Sequence, residues 1–181
     1  LVHGGGETGA GLVAHDDIDG VAFTGSYKVG VAIRRQTAHQ TGKLLALEMG
    51  GKNTAIVLED ADIAKAAADI AGAAYVMSGQ RCTATSRVIV HASVADELAD
   101  ALADRVRALV VGDPFDEASD LGPLATAPAA EQFWKWQGRS EGIETLVAAE
   151  PLSGLPAGNW VSPSLHRVVD RAAAMERDQT E

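Results

Sequence analysis

Cys82 is the only cysteine in a chain of 181 residues, and it lies in Ser78-Gly79-Gln80-Arg81-Cys82-Thr83, a polar, small-residue setting. A lone cysteine is commonly an inert small hydrophobe. These neighbours, with a cation at Arg81, instead suit a thiolate nucleophile. Upstream, the apolar run Leu44-Leu45-Ala46-Leu47 ends in Glu48. A carboxylate in an apolar site is costly to bury unless paired, and poor solvation makes it a stronger proton acceptor, as a general base requires. Facing solvent at a strand end, the same group is an ordinary surface charge, and the residues leave both readings open. A cysteine nucleophile and a carboxylate base together fit covalent catalysis in which water hydrolyses a thioester.

The elements that must position these groups follow from pattern. Val21-Ala22-Phe23-Thr24 reads as a short buried strand, and Ser26 as the N-cap of a helix from Tyr27 to Ala38. A glycine turn feeding a helix N-terminus is a natural seat for a pyrophosphate, although Gly25 and Gly30 do not make the GxGxxG fingerprint. The runs at 44–48 and 55–58 read as strands around the Gly50-Gly51 turn. Asp60 is the expected cap of a helix from Ala61 to Met77, with Ile63, Ala67, Ile70, Ala74 and Met77 on one apolar face. Val88-Ile89-Val90 reads as the next strand, and Ser93 as the cap of a helix carrying Val94, Leu98, Leu102, Val106 and Leu109. Further along, a helix over Pro128–Arg139 and strands over Glu144–Ala148 and Trp160–Val169 are expected. Phe133, Trp134 and Trp136 stack on a ligand, fill a core or meet another subunit. The glycine run Gly4-Gly5-Gly6-Glu7-Thr8-Gly9 reads as a turn or a phosphate cradle. Alternating strands and helices argue for an α/β architecture.

Three stretches in order, Phe23-Thr24-Gly25-Ser26-Tyr27-Lys28-Val29-Gly30, then Leu47-Glu48-Met49-Gly50-Gly51-Lys52-Asn53, then Gly79-Gln80-Arg81-Cys82, together resemble the aldehyde dehydrogenase superfamily. The resemblance extends over essentially the whole chain. It implies an α/β, aldehyde dehydrogenase-like fold: residues 1–49 as the end of a Rossmann-like NAD-binding domain, and 50–181 as the first part of the α/β catalytic domain of a longer enzyme. It implies that Cys82 attacks the aldehyde while its backbone N–H helps hold the oxyanion, that hydride loss to a nicotinamide leaves a thioester, and that Glu48 activates the hydrolytic water. The cofactor it implies is NAD, with NADP as the alternative. Gly25 and Ser26 would lie at the pyrophosphate, with Tyr27, Lys28 and Gly30 in the same turn and Val29 beside the adenine. Met49 and Gly50, next to Glu48, would also belong to the cofactor-binding set, and Glu181 would contact the nicotinamide ribose. Within the superfamily, Glu7-Thr8-Gly9, Leu45-Ala46-Leu47-Glu48-Met49-Gly50-Gly51 and Gly79-Gln80-Arg81-Cys82-Thr83 together are most similar to the succinylglutamate-semialdehyde branch of arginine catabolism, and the 2-oxoglutarate-semialdehyde branch shares Arg-Cys-Thr. Arg81 either favours a carboxylate-bearing substrate or pairs with a local acid. The implied partners are a small aldehyde and, for the full-length enzyme, further copies of itself. A contrasting expectation is a truncated, inactive chain or interaction module that keeps the motifs; a nucleotide titration separates the two.

Composition bounds the remaining choices. A hydrophobic content of 46% with 22% charged residues is that of a globular chain. A net charge of −10 argues against a nucleic-acid backbone as partner. No apolar run approaches the roughly 20 residues that span a bilayer. The five histidines have no metal-ligand spacing, so no metal site is expected. A single cysteine and the lack of a visible secretory signal make a reducing cytoplasm the expected location.

Overall fold

The computed structural model describes residues 1–137, 141–170 and 172. The chain divides into two compact units, Leu1–Gly51 and Lys52–Glu181. In the first unit a helix α1 (Gly6–Ala14) precedes strand β1 (Gly20–Thr24), helix α2 (Tyr27–Gln36) and strand β2 (Leu44–Glu48). The two strands pair in parallel from Gly20 opposite Leu44 to Thr24 opposite Glu48. The glycine run is therefore not a plain turn, because α1 begins inside it at Gly6. A helix with three glycines is intrinsically weak, and what holds it is at its far end. There Gln36 and Gln40 donate to the carbonyls of Ala10 and Ala14 (both 3.0 Å), and the Lys43 ammonium donates to those of Val13 and His15 (2.7 and 2.9 Å). These donors satisfy terminal carbonyls and place a cation at the negative end of the helix dipole.

β1 runs where the pattern placed it, but it is not buried: its residues alternate between exposed and half-buried. A two-stranded pair covered only in part leaves such a face open. Ser26 caps α2 as expected, its Oγ accepting from the Val29 N–H (3.3 Å). The helix stops at Gln36 rather than Ala38, where Thr37 leaves helical geometry (φ −97°, ψ 3°) as the C-cap, its buried hydroxyl donating to the Ile33 carbonyl (2.9 Å).

The second unit opens with β3 (Asn53–Val57), α3 (Ile63–Tyr75), β4 (Thr85–Val90) and α4 (Ala95–Ala108), continues through α5 (Ala127–Gln137), and ends in the described residues with β5 (Ile143–Val147) and β6 (Leu165–Val168). β3 and β4 are parallel, with a register irregularity between Asn53 and Thr54; β5 and β6 are antiparallel. The core lies between this first sheet and its helices: Val57 from β3, Ile63, Ala67, Ile70 and Ala71 from α3, and Leu98 and Leu102 from α4. Ala67 is fully buried, and its small side chain lets the two helices approach closely.

Several further boundaries differ from those expected. Asp62, not Asp60, caps α3, its carboxylate accepting from the Lys65 N–H (3.0 Å). The apolar face of α3 does not reach Met77, since the helix ends at Tyr75 and Met77 is exposed. Ser93 does not cap α4; the His91 ring caps a short 3-10 turn, Ala92–Val94, placed before it. Leu98, Leu102 and Val106 nonetheless form the buried face of α4. The strand expected from Trp160 shrinks to Leu165–Val168. Pro163 has no N–H for a ladder, and the Ser162 hydroxyl is engaged with the backbone of Glu150. α5 runs over Ala127–Gln137, and the Arg139 end expected for it lies outside the described residues. Phe133 and Trp134 meet edge to face at 5.2 Å, while Phe133 and Trp136 line the wall of a cavity of about 860 Å³ in this unit.

Candidate active site

In the first unit the candidate groups gather at the carboxyl edge of the parallel pair, the edge where open α/β sheets bind ligands. The Gly25 N–H donates to the Glu48 carbonyl (3.0 Å), so the turn entering α2 and the end of β2 are closed against each other. A side chain at Gly25 would overlap the Phe23 ring, which keeps this turn glycine. Gly30 is buried directly beneath Met49, whose thioether occupies the space a Cβ would need. The two residues thus pack on each other and lock the Met49-Gly50 turn onto α2. Gly50 takes a left-handed conformation (φ 71°) that favours glycine.

Glu48 itself is exposed. It ends a strand that is open along much of its length, with Leu44 at the other end 77% exposed. The start of α2 fits an anionic ligand. Helix geometry leaves the N–H groups of Tyr27 and Lys28 without intrahelical acceptors, the dipole is positive there, and Tyr27 and Val29 are 65% and 46% exposed. A dinucleotide pyrophosphate matches that donor set.

In the second unit Cys82 is exposed and free. The helix before it does not run on to the cysteine loop. After Tyr75 the chain enters a tight turn in which Met77 and Ser78 (φ 55° and 57°) and Gly79 (φ 72°) are successively left-handed. For non-glycine residues such conformations cost on the order of 1–2 kcal/mol each. They persist here because side chains tie the loop down. The Ser78 hydroxyl donates to the Gly122 carbonyl (2.8 Å), and the Gln80 carboxamide accepts from the Ala125 N–H (2.9 Å) and donates to the Met77 carbonyl (3.2 Å). Residues 81–84 then form a turn closed by the Ala84 N–H on the Arg81 carbonyl (3.0 Å). Asn53 donates to the carbonyls of both Cys82 (2.7 Å) and Ala84 (3.1 Å). The Arg81 guanidinium turns back and donates from Nε to the Met77 sulfur (3.1 Å).

The candidate residues thus fall into two groups. Gly25, Ser26, Tyr27, Lys28, Val29, Gly30, Glu48, Met49 and Gly50 belong to the first unit, and Cys82 to the second. Glu181 lies outside the described residues. Sequence reasoning passed over Ser78, Gln80 and Asn53 as holders of the cysteine loop. The available signal was that all three lie inside or beside the quoted motifs.

These features are those of one enzyme family, and comparison with known proteins identifies it. The family model described as "Aldehyde dehydrogenase family" matches residues 1–180, and the chain belongs to that family. The N-succinylglutamate 5-semialdehyde dehydrogenase of Novosphingobium aromaticivorans is 50% identical over 125 residues, 67% of this chain and 26% of that protein. The alpha-ketoglutaric semialdehyde dehydrogenase of Bacillus subtilis is 37% identical over 170 residues, 91% of this chain and 35% of its own. Among solved structures, betaine aldehyde dehydrogenase from Staphylococcus aureus in complex with NAD+ superposes with a TM-score of 0.83 at 29% identity, covering 92% of this chain and 34% of that one. The chain therefore has the α/β aldehyde dehydrogenase fold and spans between about a quarter and about a third of the length of these relatives.

Proposed function

We propose that the whole protein oxidises an aldehyde to a carboxylic acid with a nicotinamide dinucleotide as acceptor, using Cys82 as nucleophile and Glu48 as base. The observation that carries this reading is an exposed, unpaired thiol on a loop that is anchored at several points through its side chains and the Cys82 carbonyl. Cys82 Sγ adds to the aldehyde carbon, and its own N–H is available to the oxygen on which charge develops. A bound nicotinamide dinucleotide supplies the hydride acceptor. The thioester left on Cys82 is opened by water that gives its proton to the Glu48 carboxylate, releasing the acid and the free thiol. Gly25 to Gly30 are assigned to the dinucleotide, with the N–H groups of Tyr27 and Lys28 on its pyrophosphate and Ser26 holding the helix start. Met49 and Gly50 set the end of β2. Residues 1–49 are read as the end of the cofactor domain and 50–181 as the start of the catalytic domain. NAD is the cofactor named in the Staphylococcus aureus structure, and NADP is the alternative.

For the substrate we favour N-succinylglutamate 5-semialdehyde, supported by the 50% identity to a protein of that name. With that substrate we read the enzyme as part of arginine breakdown, and we propose in addition that it works in the cytoplasm as a homo-oligomer. 2-Oxoglutarate semialdehyde is the second reading, supported by the 37% identity over a longer stretch. The test is NADH formation by the whole protein with both semialdehydes and with betaine aldehyde. The expected outcome is the highest kcat/KM with N-succinylglutamate 5-semialdehyde, and loss of all turnover and thiol labelling in Cys82→Ala. Turnover retained by that variant contradicts the assignment of the nucleophile, and a higher kcat/KM with another aldehyde contradicts that of the substrate.

A further inference from the structure

We propose that Asn53 is a positioning residue for Cys82, acting as a two-pronged clamp on the backbone that carries the thiol. The proposal rests on the reading of Cys82 as nucleophile. β3 and β4 pair as a parallel ladder from Thr54 opposite Arg87 to Val57 opposite Val90, but at the first residue the register slips and Asn53 lies opposite Thr85. Ser86 is the extra residue on β4, and its hydroxyl donates to the Asn53 carbonyl (3.3 Å). The ladder thus breaks immediately next to the cysteine loop. The carbonyls of Cys82 and Ala84 lie beyond the break, where no strand is paired with them.

Asn53 supplies what the ladder does not. A carboxamide nitrogen has two N–H bonds, and this one donates to two carbonyls, at 2.7 Å on Cys82 and 3.1 Å on Ala84. Together with the Ala84-to-Arg81 hydrogen bond, this fixes both ends of the peptide stretch that presents the thiol, while Cys82 itself stays exposed. A nucleophile benefits from that combination, an open side chain on a fixed backbone, because displacement of about 1 Å can cost on the order of 10²-fold in rate. The chemistry is specific to asparagine. Aspartate has the same shape and no N–H to donate, and serine has one donor for two acceptors.

The test compares Asn53→Asp and Asn53→Ser with the parent in the whole protein, with Ser86→Ala as a control that removes the neighbouring bond and leaves the clamp. Hydrogen exchange is read on the peptide spanning 79–85 and on α3, and kcat and KM for aldehyde and NAD are measured alongside. The expected result is exchange at 79–85 roughly tenfold faster in Asn53→Asp and intermediate in Asn53→Ser, with α3 unchanged. kcat should fall on the order of 10²-fold in Asn53→Asp with KM for NAD unaltered, and Ser86→Ala should match the parent in both. If Asn53→Asp does not fold, Asn53→Ser carries the comparison. Equal exchange at 79–85 in variants and parent overturns the proposal. So does faster exchange spread equally over α3, or altered exchange with kcat unchanged. A parent without aldehyde turnover refutes the functional reading, while the exchange measurement still decides whether the clamp holds the loop.

Discussion

Tyr75 illustrates how a single residue's environment becomes a measurable property. It ends α3, its hydroxyl donates to the Ser164 carbonyl (2.7 Å), and burial pushes its phenol up to about 12. Burial disfavours the phenolate, so in the folded state the proton is held longer than in the unfolded chain. Between about pH 10 and pH 12 the unfolded state has lost this proton and the folded state has not, so stability falls as pH rises through that window. Two pKa steps correspond to about 2–3 kcal/mol. Urea unfolding between pH 9 and pH 12 should therefore show a steeper alkaline loss in the parent than in Tyr75→Phe, and parallel slopes would contradict this account. At the same scale, the polar neighbours of Cys82 pointed to an open thiol rather than a packed one, and the structure leaves it exposed. Glu48 was readable only as one of two possibilities. An apolar run preceding a carboxylate does not say whether anything covers the strand, and here the carboxylate is exposed. The role of Asn53 was not readable, because the carbonyls it grips are distant in sequence and depend on a register slip between strands.

At the scale of elements, periodicity located nearly every helix and strand, while the ends were set by contacts that periodicity does not encode. The apolar spacing of α3 and α4 was sufficient to name Ile63, Ala67, Ile70, Leu98, Leu102 and Val106 as buried. The pattern put the α3 cap at Asp60, but Asp62 also precedes the first buried isoleucine and periodicity does not separate the two. The structure decides for Asp62. Asp62→Ala should cost about 1 kcal/mol and Asp60→Ala no more than about 0.5 kcal/mol, measured by chemical denaturation. Equal losses would contradict the assigned cap. The left-handed turn after Tyr75 was missed for a similar reason. Met77 and Ser78 have no intrinsic preference for positive φ, and they are held there by bonds to a loop more than forty residues away. The strand that shrank to Leu165–Val168 carried its own warning in Pro163.

For the whole molecule, three short motifs in order made the family recognisable, and the match over residues 1–180 establishes it. No helix among the described residues is long and apolar enough to cross a membrane. The chain's two units each carry one part of the proposed chemistry, the carboxylate with the anion-binding turn in one and the thiol in the other. The central claim is that these parts act in sequence, with Cys82 holding an acyl group until Glu48 activates water. The measurement that tests it most directly is rapid mixing of the Glu48→Gln whole protein with NAD and N-succinylglutamate 5-semialdehyde, followed by mass analysis of the Cys82 peptide. The account predicts one equivalent of NADH in a burst, a steady-state rate lower by about 10²–10⁴-fold, and the acyl mass on Cys82. An undiminished steady-state rate, or a burst with no acyl group on Cys82, would contradict it.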